Sequence, residues 1–192
     1  NTIDNSRKNL SVPYDLGNNF SQLWLDPTTT YSSPRFETPG QSLEDAQRGK
    51  YDALCRKLKL KPSDHVLEIG CGWGGFSSHA AKYYGCRITA LTISEAQADY
   101  ARARMEREGL ADRVEIRIQD YRLVTGRFDK IASIDMLVAV GAKFHESFFS
   151  TCHEVLYPYV MLGFLMITLP YSRYTMCRDC CLFLHPPSFP SS

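Results

Sequence analysis

Apolar residues fall into two alternating periods along most of this chain. After Ser42, a plausible N-cap with Asp45 three residues on, Leu43, Ala46, Leu54 and Leu58 keep helical spacing until Lys61-Pro62 ends the run. His65 to Ile69 then reads as a short buried strand, Phe76 to Tyr84 as a helix closed by Gly85, and Arg87 to Leu91 as a second strand. Ser94-Glu95-Ala96-Gln97 is a capping box that opens a helix to Glu108, with Gly109 at its C-cap. Val114 to Ile118 and Lys130 to Ile134 are predicted strands, Phe144 to Leu156 a helix, and Val160 to Leu169 a fifth strand. Strands separated by helices make βαβ units, hence an α/β fold with a mostly parallel sheet and helices on both faces.

The two ends do not share this pattern. Residues 1 to 40 are polar and turn-rich, with Pro13, Pro27, Pro34 and Pro39 and an aromatic series Tyr14, Phe20, Trp24, Tyr31 and Phe36. Residues after Cys177 carry Pro186, Pro187 and Pro190 and no clear period. The expected division is therefore an N-terminal segment (1–41), a core (42–174) and a divergent tail (175–192).

Composition narrows the class. The 192 residues are 44% hydrophobic and 22% charged, the balance of a soluble globular protein. A net charge of +1 argues against a dedicated nucleic-acid binder. Seven scattered cysteines do not form a secreted disulfide framework, and no signal-peptide pattern opens the chain, so a reducing, cytoplasmic setting is expected. The longest apolar run, Tyr159 to Leu169, falls short of the ~20 residues of a spanning helix.

The sharpest chemical signal is VLEIGCGWGGF at 66–76, where a strand ends, Gly70, Gly72, Gly74 and Gly75 form a loop, and a helix begins. Open α/β sheets bind ligands at such carboxyl ends of strands, where glycine lets backbone approach the ligand. Gly70, Gly72 and Gly75 fit the dinucleotide pattern. The acid expected at the end of the second strand is missing, however, since that strand closes on Ala90-Leu91-Thr92. Glu68, directly before the glycines, instead suits S-adenosylmethionine, a ligand with a sulfonium and an amino group and no pyrophosphate. A tight turn without a ligand is the plainer alternative, but four glycines cost entropy that a simple turn does not require.

With YDLGNNFSQLWLDPTTTYSS (14–33), SLEDAQRGKYDAL (42–54), ITALTISEAQ (88–97), RVEIRIQDYR (113–122), FDKIASIDM (128–136) and FHESFF (144–149) added to that loop, the chain resembles the cyclopropane-fatty-acyl-phospholipid synthase family, which includes the mycolic acid cyclopropane synthases. The likeness runs over roughly residues 6–174. It implies a Rossmann-like class I methyltransferase fold whose last two strands lie beyond this sequence. It also implies methyl transfer from S-adenosylmethionine to a cis double bond in a phospholipid acyl chain, with peripheral contact to the membrane and no nucleic acid. The resemblance places Tyr31, Ser32, Glu68, Gly70, Cys71, Gly72, Thr92, Gln97, Gln119 and Asp120 at the cofactor. Gln97 is also explained by its capping box, Asp120 by a turn, and Tyr31 by packing.

The sequence departs from the family at the base. There the family holds a bicarbonate that removes a proton before the ring closes, and its glutamate and histidine (or glutamine) positions fall on Val138 and Leu165. Neither side chain can hydrogen-bond. Ser33 keeps the backbone carbonyl of that site, and Asp135 stands too far back to replace the glutamate without backbone movement. No catalytic set is intact, so ring closure is expected to be impaired. A chain that at most binds the cofactor, and a small-molecule methyltransferase acting on amines, are the other readings. Cys177, Cys180, Cys181 and His185 lack zinc spacing, and no metal is expected. The arginines Arg102, Arg104, Arg107, Arg113, Arg117, Arg122 and Arg127 could face anionic lipid headgroups, but they alternate with acids and read as a solvated surface.

Overall fold

The computed structural model describes residues 25–166. Helix α1 spans Leu43–Leu58 and ends at Lys59 in the left-handed conformation, while Ser42 Oγ caps its start by accepting from the Asp45 N–H at 3.1 Å. Strand β1 (His65–Ile69) leads into α2 (Gly75–Tyr84), β2 (Arg87–Thr92) into α3 (Glu95–Arg107), and β3 (Val114–Ile118) into β4 (Phe128–Ile134). A short α4 (Met136–Val140), α5 (His145–Val155) and β5 (Leu156–Leu165) follow. The five strands are all parallel in the order β3-β2-β1-β4-β5. The chain therefore changes direction between β1 and β4, the switch point at which such sheets leave a crevice.

Strand alternation assigns the two faces. Val66 points into a core shared with Leu54, Phe76, Ala101 and Met105 from α1, α2 and α3, whereas Leu67 and Ile69 meet Leu137, Phe148 and Val155 from α4 and α5. Glu68 lies on the Val66 side, so its carboxylate meets Ser77 of α2 rather than solvent. Among the described residues no helix is long and apolar enough to cross a membrane.

The elements agree with the periodicity except where tertiary contacts intervene. Strand β5 starts four residues before the expected Val160, and α5 yields Leu156 to it. Between the pairs Phe128–Leu156 and Lys130–Met161 the strand bulges, which accommodates Pro158, unable to donate, and Tyr159 at φ 63°. Strand β4 begins at Phe128, two residues early, because its partner does. Helix α4 was not legible as a helix. Leu43 is exposed, not part of the core face. The capping box is half formed: Ser94 Oγ accepts from the Gln97 N–H at 3.3 Å, but the Ser94 N–H goes to Thr92 Oγ1 at 3.2 Å.

Gly163 of β5 packs directly under α1. A Cβ there would stand 2.8 Å from Leu54 Cδ1 and 2.9 Å from Leu58 Cδ2, both on fully buried side chains. Gly163→Val should therefore lower stability by about 1–3 kcal/mol despite its better strand propensity. Thermal unfolding checks this, and an unchanged midpoint would contradict the packing described.

Candidate active site

The carboxyl ends of β1, β2, β3 and β4 open into one cavity of about 230 Å³. Its floor is the glycine loop. Gly70, Gly72 and Gly74 have φ of 82°, 53° and 80°, which side chains rarely adopt. The Gly70 and Cys71 N–H groups donate to the Leu91 carbonyl at 3.0 and 2.8 Å, tying the loop to the end of β2. A Cβ on Gly70 would overlap the Met136 side chain, and one on Gly75 the buried Tyr51 hydroxyl, so the loop needs glycine for closeness as well as conformation.

All ten residues expected at a cofactor line this cavity: Tyr31, Ser32, Glu68, Gly70, Cys71, Gly72, Thr92, Gln97, Gln119 and Asp120. They come from separate strand ends and an N-terminal segment, so their convergence is a property of the fold. Burial pushes the Glu68 carboxyl up to about 7, against the pull of the Ser77 hydroxyl and N–H and of Arg104. Burial also holds the Cys71 thiol far above its ordinary value, which makes it a neutral wall group and no nucleophile. Gln97 Oε1 accepts from Thr92 Oγ1 at 2.9 Å, so its side chain serves the cavity rim instead of completing the helix cap. Asp120 caps the turn Tyr121–Leu123 and pairs with Arg122 at 2.6 Å, so the turn role is realised and any ligand must share that carboxylate. Gln119 donates from Nε2 to the Leu123 carbonyl at 2.8 Å.

The expected base positions do not reach the cavity. Helical rotation of α4 turns Met136, Ala139 and Val140 inward and leaves Val138 56% exposed on the far side. Leu165 is half-buried and packs against the core on the Val66 side of the sheet. The Ser33 carbonyl accepts from Lys50 Nζ at 3.0 Å. Among the described residues, Ser33, Val138 and Leu165 thus do not come together as a bicarbonate site on this cavity. Asp135, too far back by spacing, does line the cavity. It adopts φ 59° at the end of β4, with its N–H donating to the Leu165 carbonyl at 2.8 Å. Asp135 and the aromatic wall Trp73 are contributions that spacing alone did not single out.

The N-terminal wall, residues 28–33, is fastened by side chains outside the motifs. Tyr51 bonds Thr30 Oγ1, which bonds Thr28 Oγ1 at 2.6 Å, and Thr29 Oγ1 meets the Tyr100 hydroxyl at 3.0 Å. Arg104 is 9% exposed and not a surface residue: its Nη1 donates to the Thr28 carbonyl and its Nε to Glu108 Oε1, both at 2.8 Å. A signal existed for the helix residues, since Gln47, Lys50 and Tyr51 share a helical face with Leu54 and Leu58, an unusual place for a lysine. Cys177, Cys180, Cys181, His185, Pro13, Tyr14, Phe20 and Trp24 lie outside the described residues.

Known proteins share this architecture. The family model for mycolic acid cyclopropane synthetase matches residues 2–190. A probable fatty acid methyltransferase of Pseudomonas putida is 44% identical over 134 residues, covering 69% of this chain and 34% of its own length. The cyclopropane synthase MmaA2 from Mycobacterium tuberculosis superposes with a TM-score of 0.84 at 27% identity, over 97% of this chain and 70% of that one. The mycolic acid cyclopropane synthase CmaA1, complexed with SAH and CTAB, gives a TM-score of 0.76 at 31% identity, over 79% and 53% respectively. This chain spans between about a third and a half of the length of the curated relatives it matches. The sheet order and crevice are those of the Rossmann-like class I methyltransferase fold. With the family model covering almost every residue, the chain belongs to the mycolic acid cyclopropane synthetase family.

Proposed function

We propose that this chain binds S-adenosylmethionine in the switch-point cavity and belongs to an enzyme that transfers its methyl carbon to the cis double bond of unsaturated phospholipid acyl chains. The observation that carries the reading is the convergence of the ten motif residues on one cavity. The chemistry of the wall fits a cationic ligand. Glu68, Asp120 and Asp135 are three acids on a small cavity, and the glycine loop leaves room for backbone approach. That cofactor supplies an electrophilic methyl group on a sulfonium. Glu68, in its ionised form, would hold the ligand's ammonium, and Gly70 to Gly72 its amino-acid backbone. Thr92, Gln97, Gln119 and Asp120 would hold the ribose and adenine. Met136, Ala139, Val140 and Phe144 give the far wall an apolar character suited to an acyl chain, and they exclude water from the reacting carbon.

An alkene that takes up a methyl group is left as a carbocation and must lose a proton. Among the described residues the cavity wall lacks a set that would hold bicarbonate, so no step runs through that ion. Loss of that proton to solvent from a neighbouring carbon of the acyl chain gives a methyl- or methylene-branched alkene, and we expect this product rather than a cyclopropane. The exposure of Val138 and the absence of Leu165 from the cavity wall also support the second reading, a chain that binds the cofactor without turnover. Titration calorimetry with S-adenosylmethionine tests the binding claim, with one saturable site expected. Mass spectrometry of phospholipid vesicles, run against a panel of amines, tests the substrate. Methyl transfer to amines alone would reject the lipid assignment.

A further inference from the structure

Tyr31 and Ser32 line the cavity and lead into Ser33, and the Lys50 ammonium ties this strap to α1. Lys50 Nζ donates to Ser32 Oγ at 2.5 Å, to the Ser32 carbonyl at 3.3 Å and to the Ser33 carbonyl at 3.0 Å. Gln47, one helical step earlier, donates from Nε2 to the same Ser32 carbonyl at 2.8 Å. Lys50 is only 5% exposed, so these contacts stand in for the water its charge has lost. Two consecutive carbonyls drawn toward α1 fix the strap's rotation, and Tyr31 is left 70% exposed on the cavity rim.

We propose that Lys50 is a positioning residue: its ammonium sets the Tyr31–Ser33 strap at the cavity wall, so that ligand affinity follows the charge on this one side chain. The proposal rests on the cofactor reading above. An ammonium has three hydrogens for the three strap acceptors, while a neutral amine has two and loses the charge assistance. Burial brings the Lys50 ammonium down to about 8, opposed by the negative charges of Asp135 at the end of β4 and Asp26 before the strap. The Tyr51 ring, 5.2 Å from Nζ, also faces it. Affinity should therefore fall as pH rises through 8. Glu68 acts in the opposite sense and at lower pH, since it ionises around 7.

The test uses the full chain and SAH as probe, titrated calorimetrically from pH 6.5 to 9.5. Amide hydrogen exchange over residues 25–41 of the ligand-free protein gives a second readout. Wild type should weaken about ten- to thirtyfold toward the alkaline end, as the charged fraction shrinks. Lys50→Arg, which stays charged throughout, should share with wild type the rise through Glu68 near pH 7 and then keep its affinity above pH 8, apart from the titration of the ligand's own amine. Lys50→Met should bind weakly at every pH, with faster exchange in the strap. If Lys50→Met does not fold, the difference between the wild-type and Lys50→Arg profiles decides. Parallel wild-type and Lys50→Arg profiles, or a folded Lys50→Met that binds like wild type, would overturn the proposal while leaving the cofactor reading intact. No binding by a folded wild-type chain would overturn both.

Discussion

Glu68→Gln should make the ligand-free protein more stable at pH 8 and at the same time weaken its hold on S-adenosylmethionine. The carboxyl is fully buried, and burial raises it from 4.5 to about 7. A carboxyl raised in the folded state stabilises fully below its unfolded value, and that contribution is lost as pH rises through the folded one. Above pH 7 the folded protein therefore carries a penalty that the unfolded chain does not, on the order of 3 kcal/mol. An amide has no such term. It can still accept from the Ser77 hydroxyl, so the advantage of the variant should be largest at pH 8, shrink through pH 7 and disappear near pH 4.5. Binding moves the other way, because a charged hydrogen bond to the ligand's ammonium is worth about 1.5–3 kcal/mol, or roughly ten- to a hundredfold in affinity. Urea unfolding at several pH values, with calorimetry beside it, measures both. A variant that is no more stable at pH 8, or that binds as wild type does, would remove Glu68 from the role proposed.

Arg104→Met should cost about 2–4 kcal/mol, somewhat less than the breaking of a fully buried pair. The Arg104 and Glu108 side chains are 11% and 24% exposed, and the same arginine is bonded to the Thr28 carbonyl 76 residues away. Burial alone would raise the Glu108 carboxyl, but the Ser78 hydroxyl and Arg104 outweigh it and hold it below the ordinary value. Stability from this source is present above the unfolded carboxyl's pKa and lost as pH falls through the folded one, so the variant should also flatten the acid limb of the stability profile. Loosening Thr28 releases the Thr28–Thr30–Tyr51 hydroxyl chain, and cofactor affinity should drop severalfold. A double-mutant cycle with Glu108→Gln separates the ion pair from the carbonyl bond. A loss below about 0.5 kcal/mol would return Arg104 to the surface class.

The arginine series shows why part of this molecule was hidden from a linear reading. Arg102, Arg104 and Arg107 stand within one helix among acids, and by composition they are equivalent. Only α3's orientation against the sheet buries Arg104 and leaves Arg102 on Asp99 at 3.2 Å in the solvent. Val138 makes the same point. Its alignment was readable, but the direction of its side chain depended on α4, a five-residue helix without a cap or period of its own. In the same way Gln97 fitted a capping box, and the Thr92 hydroxyl took both ends of that interaction.

What the sequence determined by itself was local. The 2-fold and 3.6-fold periods, Ser42 and Ser94 as caps, and Gly85 and Gly109 at positive φ define the strands and helices to within a few residues. The glycine loop after β1 is equally local, because backbone conformation and steric room belong to the residues themselves. Tertiary structure decided everything that depends on a distant partner. It brought the ends of four strands to one crevice, turned Asp135 into it and Val138 out of it, and placed Lys50 against a strap 17 residues before it in sequence. The physical reason is that burial and charge pairing are properties of pairs brought together by chain reversal at the switch point, and no periodicity along one element encodes the identity of its partner.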